Sequence, residues 1–453
     1  MTDRTPARRV VVAGAGGRDF HDFATVLRDD PAVEVVAFTA AQIPGIDHRT
    51  FPAVLAGPRY PEGIPVYPEA DLADLVARHG VDEVILSYSD LPHAEVMHRA
   101  SIALAAGASF RLLAPQRSFL TLDRPVVAVT ATRTGAGKSQ TSRRIGRLLL
   151  DAGLRVALVR HPMPYGDLTA MAVQRFATLD ELDAAAPTIE EREEYEEPIR
   201  QGFVVHTGVD YAAVGRAAAA EADVVVWDGG NNDTPFFAPA LWITVLDALR
   251  PDHGLGYHPG EVNLRRADVV VVNKLDSAPP GALEAALAGV DAVNPAATVV
   301  LADSPVTLDP GPSLAGRRVL VVEDGPSLTH GGMPFGAGTV AARAAGAVEL
   351  LDPRPYAVGS IAAVYAAHPQ LGPVLPAMGY GAEQIEDLAA TIAAAAPDVV
   401  VTGTPIGLEH VLARAGGTLG VPVRRARYEL REREHPDLRD VLAPYLTAWG
   451  ARP

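Results

Sequence analysis

The spacing of apolar and polar positions divides this chain into short buried strands and amphipathic helices. Compact apolar runs fall at 9–13, 33–39, 84–88, 126–129, 155–159, 223–226, 242–246, 268–272, 298–302, 318–323 and 398–402. Helical spacings fall at 20–27, 72–79, 145–150 and 437–448. Strands this uniformly apolar are covered on both faces, and their alternation with helices predicts an α/β fold of parallel sheets with crossover helices. At 453 residues the chain is long enough for two or three cores. The pattern predicts three regions, over 1–122, 123–315 and 316–453.

One strand-to-helix turn carries chemistry. Residues 125–150 read PVVAVTATRTGAGKSQTSRRIGRLLL, a strand, a glycine-bearing turn and a helix with Ile145, Leu148, Leu149 and Leu150 on its apolar face. The stretch Thr134, Gly135, Ala136, Gly137, Lys138, Ser139 and Gln140 is a candidate nucleotide-binding loop. Small residues let backbone N–H groups curl around a phosphate, and the helix that follows points its positive end at the same anion. Lys138 would reach the β- and γ-phosphates, and the Ser139 hydroxyl would bind Mg²⁺. Thr132 stands where the strict pattern has glycine, as in relatives of dethiobiotin synthetase and the cobyrinic-acid amidases, which this loop resembles. The alternative is a tight turn that binds nothing. The loop makes the middle region a P-loop NTPase-type parallel-sheet domain. It would be preceded by a Rossmann-like N-terminal domain and followed by a C-terminal α/β extension packing on it.

Other candidates gather at predicted strand ends. The strand ending Val226-Trp227-Asp228 has the form of a Walker B strand, with Asp228 as a Mg²⁺ ligand and Asp233 as a group that orients water or a substrate hydroxyl. Arg160 and His161 follow the strand beside the loop and are placed to hold a second anion, unless they are only a charge pair in a loop. Arg18 and His21 open the first helix after the glycine turn at 14–17, as two cations for a ligand or as a surface pair. That turn lacks the third glycine of a dinucleotide fingerprint, where Asp19 stands instead. The segment at 87–90 ends another strand and faces the same crevice. Asn273, Lys274 and Asp276 match the N-K-x-D element that reads guanine. His330, in the glycine-rich tract at 324–338, is a further candidate for an anionic ligand or an exposed loop residue. The acidic run at 178–201 reads as a solvated helix.

Composition narrows the function. The formal charge of −16 argues against nucleic acid as the main partner and against an anionic membrane surface. With no cysteine, the chain has no thiolate metal ligand and no thiol nucleophile. There is no signal-peptide anatomy at the N-terminus and no apolar run of about 18 residues, so a cytoplasmic enzyme is expected. Self-association as a homodimer is compatible with the sequence and not dictated by it.

Five segments carry a resemblance over nearly the full length: 13–23 (AGAGGRDFHDF), 132–143 (TRTGAGKSQTSR), 159–168 (VRHPMPYGDL), 227–237 (WDGGNNDTPFF) and 322–338 (VEDGPSLTHGGMPFGAG). Together they resemble the cyclic 2,3-diphosphoglycerate synthetases. The resemblance implies an ATP- and Mg²⁺-dependent ligase that closes 2,3-bisphosphoglycerate into an intramolecular anhydride. Lys138, Asp228, Arg160 and Asp233 would serve catalysis, while Arg18, His21, Arg160, His161 and His330 would hold the anionic phosphorylated acid. Two alternatives stand beside it, a related ligase or kinase acting on another acid, and a GTP-driven switch or metallochaperone. GTP is kept open as the nucleotide by Asn273 and Asp276.

Overall fold

The computed structural model describes residues 6–41, 46, 48–163, 166–329, 332–377, 382–404, 407–408 and 419–450; His330 lies outside them. The fold is α/β, built on three sheets that are mainly parallel. In the first, the strands Ile64–Pro68, Val33–Ala40, Arg8–Ala13, Glu83–Leu86 and Ser109–Leu112 lie in that order and run parallel, and the antiparallel Thr50–Phe51 forms the edge beyond Ile64–Pro68. The helix at its first turn begins as Arg18–Asp22 and continues as a π-helical turn, Phe23–Leu27.

The second sheet holds the phosphate loop. Its central strand, Val126–Ala131, lies between Val224–Gly229 and Leu241–Asp247. Val156–Arg160 and Val204–Thr207 extend one side, and Val269–Asn273 and Thr298–Asp303 the other, all parallel. Each central strand is fully buried, as its apolar run predicts. The helix Lys138–Asp151 packs Ile145, Leu148 and Leu149 onto one face, together with Leu438 and Leu442 of the last helix, Leu438–Leu446. The opposite face is covered by Tyr211, Val214, Phe236 and Phe237 around Trp227. Near the C-terminus, Arg431–Glu432 adds an antiparallel edge to this same sheet.

The third sheet is centred on Val319–Asp324 between Leu375–Ala377 and Val399–Thr402. The glycine-rich tract after it is more ordered than its composition suggests, since it includes the helix Gly325–Thr329 and leads into Ala337–Ala344. The buried Glu323 carboxylate accepts from the N–H groups of Gly336 and Gly338 at 3.0 Å and of Thr339 at 2.7 Å, so it caps that second helix.

The acidic run is not a solvated helix. It forms Leu179–Ala184 and Ile189–Arg200, and Leu182, Tyr195 and Ile199 join a core cluster with Phe176 and Val205. Glu196 is completely buried between Arg192 and Arg200, one turn away on either side. Its charge is therefore met within the helix, while Asp180 and Glu181 stay exposed.

Candidate active site

The phosphate loop is braced from below. Gly135 and Gly137 adopt φ of 80° and 109°, the left-handed region that favours glycine. A Cβ on Gly137 would also run into the Asn273 amide. Asn273 donates to the Ala136 carbonyl at 3.0 Å, and Lys274 donates to the Gly135 carbonyl and to Asp247. Asp276 accepts from the Ser304 N–H at 3.0 Å, and the Ser304 hydroxyl meets the Gln140 amide. Thr132 fits at the first position because its backbone does not require a positive φ and its N–H donates to Val245 at 2.9 Å.

Asp228 is the hub of the ionic network. Its carboxylate accepts from Lys138 Nζ at 2.8 Å and from Ser142 Oγ at 2.7 Å, and it pairs with Arg160. Arg160 in turn reaches Ser139 Oγ at 3.4 Å and pairs with Glu194 of the acidic helix. Burial pushes the Asp228 carboxyl up, but Arg160 and Lys138 outweigh it and hold the group below its ordinary value. Burial lowers Lys138 to about 8, with Asp228 offsetting part of the effect. Ser139 and Asp228 converge on one guanidinium nitrogen, so a hydroxyl and a carboxylate suited to a hard cation lie side by side.

The crevice between the first two sheets brings Arg18, His21, His161 and Asp233 together. Arg18 donates to the Thr234 backbone and hydroxyl, lies over the Phe236 ring and is 3.6 Å from both Asp22 and Asp233. His21 stacks on Phe236 with centroids 4.0 Å apart. His161 Nε2 lies 3.1 Å from Asp233, and Tyr211 Oη is 2.6 Å from its Nδ1. With the ring neutral, the tyrosine O–H donates to Nδ1 and Nε2–H faces the carboxylate.

This geometry corrects two expectations. Arg18 and His21 are not a surface pair; both are sequestered at the crevice, His21 almost completely. Nor are His21 and His161 cations, because burial lowers both below the ordinary histidine value. Arg18 and Arg160 already face carboxylates. His21 Nε2, Asp22 Oδ1 and Asp233 Oδ1 are buried without a hydrogen bond, and the two carboxylate oxygens are the atoms that face Arg18 at 3.6 Å.

Several residues were invisible to motif reading. Arg133, in the loop itself, donates to Asp90 at 2.7 Å, lies 2.8 Å from His253 Nδ1 and stacks 3.7 Å over Tyr257. Asp90 ends the segment at 87–90, so this contact ties the first sheet to the phosphate loop. Asn263 donates to the Ala131 and Asn232 carbonyls, and Asn232 to that of Thr132. Their only sequence signal was polar residues next to apolar runs. Tyr195 donates to the His161 carbonyl at 2.6 Å and so fixes the start of that loop.

The chain is 53% identical over 435 residues to arginine synthetase ArcE from Thermococcus kodakarensis, covering 96% of each protein. The chain belongs to the arginine synthetase ArcE family. No family profile matches the chain. Among solved structures it has a weaker likeness to the "apo" form of LpxK from Aquifex aeolicus in complex with ATP, at 13% identity and a TM-score of 0.42, covering 83% of this chain and 99% of that one. No helix among the described residues is long and apolar enough to cross a membrane.

Proposed function

We propose that the protein is an ATP-dependent synthetase that makes arginine. The observation that carries this reading is the 53% identity, over 96% of both chains, to arginine synthetase ArcE. The chemistry of the crevice supports it. A guanidinium group is completed by replacing the oxygen of a ureido carbon with nitrogen, and that oxygen is a poor leaving group. Transfer of the γ-phosphoryl group of ATP to the ureido oxygen releases ADP; attack of nitrogen on the carbon then breaks the C–O bond and releases phosphate. Such catalysis depends on positioning and charge neutralisation.

The residues suit these steps. Ser139 and Asp228 would hold Mg²⁺, which supplies charge neutralisation to the phosphates when bound. Lys138 would leave Asp228 for the phosphates, and Arg160 stands beside it. Asp233 can accept the proton that the incoming nitrogen must lose, while His161 holds that carboxylate from Nε2 and Tyr211 fixes the ring. The Asp22 and Asp233 oxygens that face Arg18 without a hydrogen bond suit N–H donors on a ureido or guanidinium end.

A second reading is cyclisation of 2,3-bisphosphoglycerate, favoured by the five segments that resemble the cyclic 2,3-diphosphoglycerate synthetases. It asks for a positive pocket, whereas the histidines of the crevice are neutral and its arginines face carboxylates. Purified protein with ATP and Mg²⁺ is offered citrulline plus ammonium in one series and 2,3-bisphosphoglycerate in another. Arginine detected by mass spectrometry in the first supports the main reading. New anhydride phosphorus resonances in the second alone would replace it.

A further inference from the structure

A cavity of about 170 Å³ lies between the end of the first sheet and the turn at 166–168 of the second. Its lining includes no residue of the nucleotide loop, and the glycine turn at 14–17 runs from it toward His161. Ala15 of that turn lines the cavity. Gly17, two residues on, packs so closely on His161 that a Cβ there would clash with the ring. Arg18 then reaches Thr234 in the loop that carries Asp233.

The lining has two characters. Phe20 and Phe51 stack with centroids 4.5 Å apart and, with Leu168, form an apolar wall. At the exposed side stand one cation, Arg49, and one anion, Asp167. Arg49 also donates to the Gly166 carbonyl at 3.3 Å, which links the first sheet to the turn carrying Asp167. An apolar slot with one positive and one negative group matches an α-amino acid with an aliphatic side chain, and its volume suits one such molecule. Small-molecule sites favour this mostly apolar lining with few polar anchors, at domain junctions and beyond the carboxyl ends of parallel strands.

We propose that this cavity is the amino-acid end of the substrate site. Arg49 receives the α-carboxylate, Asp167 the α-ammonium, and the wall of Phe20, Phe51 and Leu168 the methylene chain. The reactive end passes along the 14–17 turn toward His161 and Asp233. The identity of the ligand rests on the arginine synthetase reading, while the cavity and its chemistry do not.

The test combines binding and turnover on the full chain. Arginine is the binding probe, followed by saturation-transfer NMR, with wild type, Arg49→Ala and Leu168→Trp, the last filling the cavity without removing a charge. We expect each variant to weaken arginine binding and raise the KM for the ureido amino acid at least tenfold, with ATP affinity within twofold of wild type. Wild type should also prefer arginine to its decarboxylated amine, agmatine, and Arg49→Ala should lose that preference. Wild type that binds no arginine, or variants that bind it equally well, overturns the cavity assignment. Arginine synthesis with unchanged KM in both variants overturns it while leaving the function intact. Cavity-dependent binding by a protein that makes no arginine upholds the assignment and overturns the function.

Discussion

Replacing Asp228 by asparagine should destabilise the nucleotide-free protein, and replacing Lys138 by methionine should not. Asp228 is 1% exposed and is the shared partner of Lys138, Ser142 and Arg160. Asparagine keeps the shape but removes the charge, so Lys138 loses its carboxylate in a buried site while Arg160 keeps Glu194 and the Ser139 hydroxyl. Breaking a buried pair in this way costs about 3 kcal/mol. For a unit the size of the second sheet and its helices, this is a fall in Tm of about 6–12 °C. Lys138→Met acts in the opposite sense. It removes a cation that burial already disfavours and leaves Asp228 paired with Arg160 and Ser142. Its Tm should match or exceed that of wild type, while ATP affinity falls about 100-fold or more through loss of the phosphate contact. Thermal melts by circular dichroism at pH 7, without nucleotide, separate the two. An Asp228→Asn protein melting with wild type, or a Lys138→Met protein that melts well below it, would refute the reasoning.

The other predictions concern protons, capping and base choice. Burial lowers Lys138 to about 8, so between that value and the ordinary 10.5 the folded chain has lost a proton that the unfolded chain keeps, and stability rises with pH across this window. ATP binding needs the charge, so calorimetry at pH 9 in buffers of different ionisation enthalpy should show uptake of about one proton; no uptake contradicts the assignment. Glu323→Ala removes the cap of Ala337–Ala344 and should lower stability by at least about 2 kcal/mol, read from the urea midpoint. We expect ATP to outcompete GTP; if GTP binds more tightly, Asp276→Asn should erode that preference, and an unchanged ratio would place Asp276 outside base recognition.

The fold was largely legible because its strands are apolar on both faces and so stand out from the helices between them. The short strands Ile64–Pro68 and Ser109–Leu112 were not, since Pro65 and Pro68 interrupt the first and Ser109 and Arg111 the second. The turn over 134–140 could be read from spacing, because its glycines mark a strand-to-helix turn, and Gly135 and Gly137 do adopt positive φ. The crevice could not. Whether Arg18 meets solvent or Asp233 depends on contacts between residues more than 200 positions apart, and the protonation of His161 depends on its burial and on Asp233 and Arg18, which are also distant in sequence. The acidic helix misled for a related reason, as charge counting cannot reveal that Glu194 faces Arg160 and Glu197 faces Arg425.

The central claim is that ATP activates a ureido oxygen so that nitrogen can replace it. Citrulline labelled with ¹⁸O at the ureido position, incubated with the protein, ATP, Mg²⁺ and ammonium, tests this most directly. The account predicts arginine free of the label and inorganic phosphate carrying one ¹⁸O per arginine formed. Unlabelled phosphate released with ADP while the ureido label stays in citrulline would contradict it.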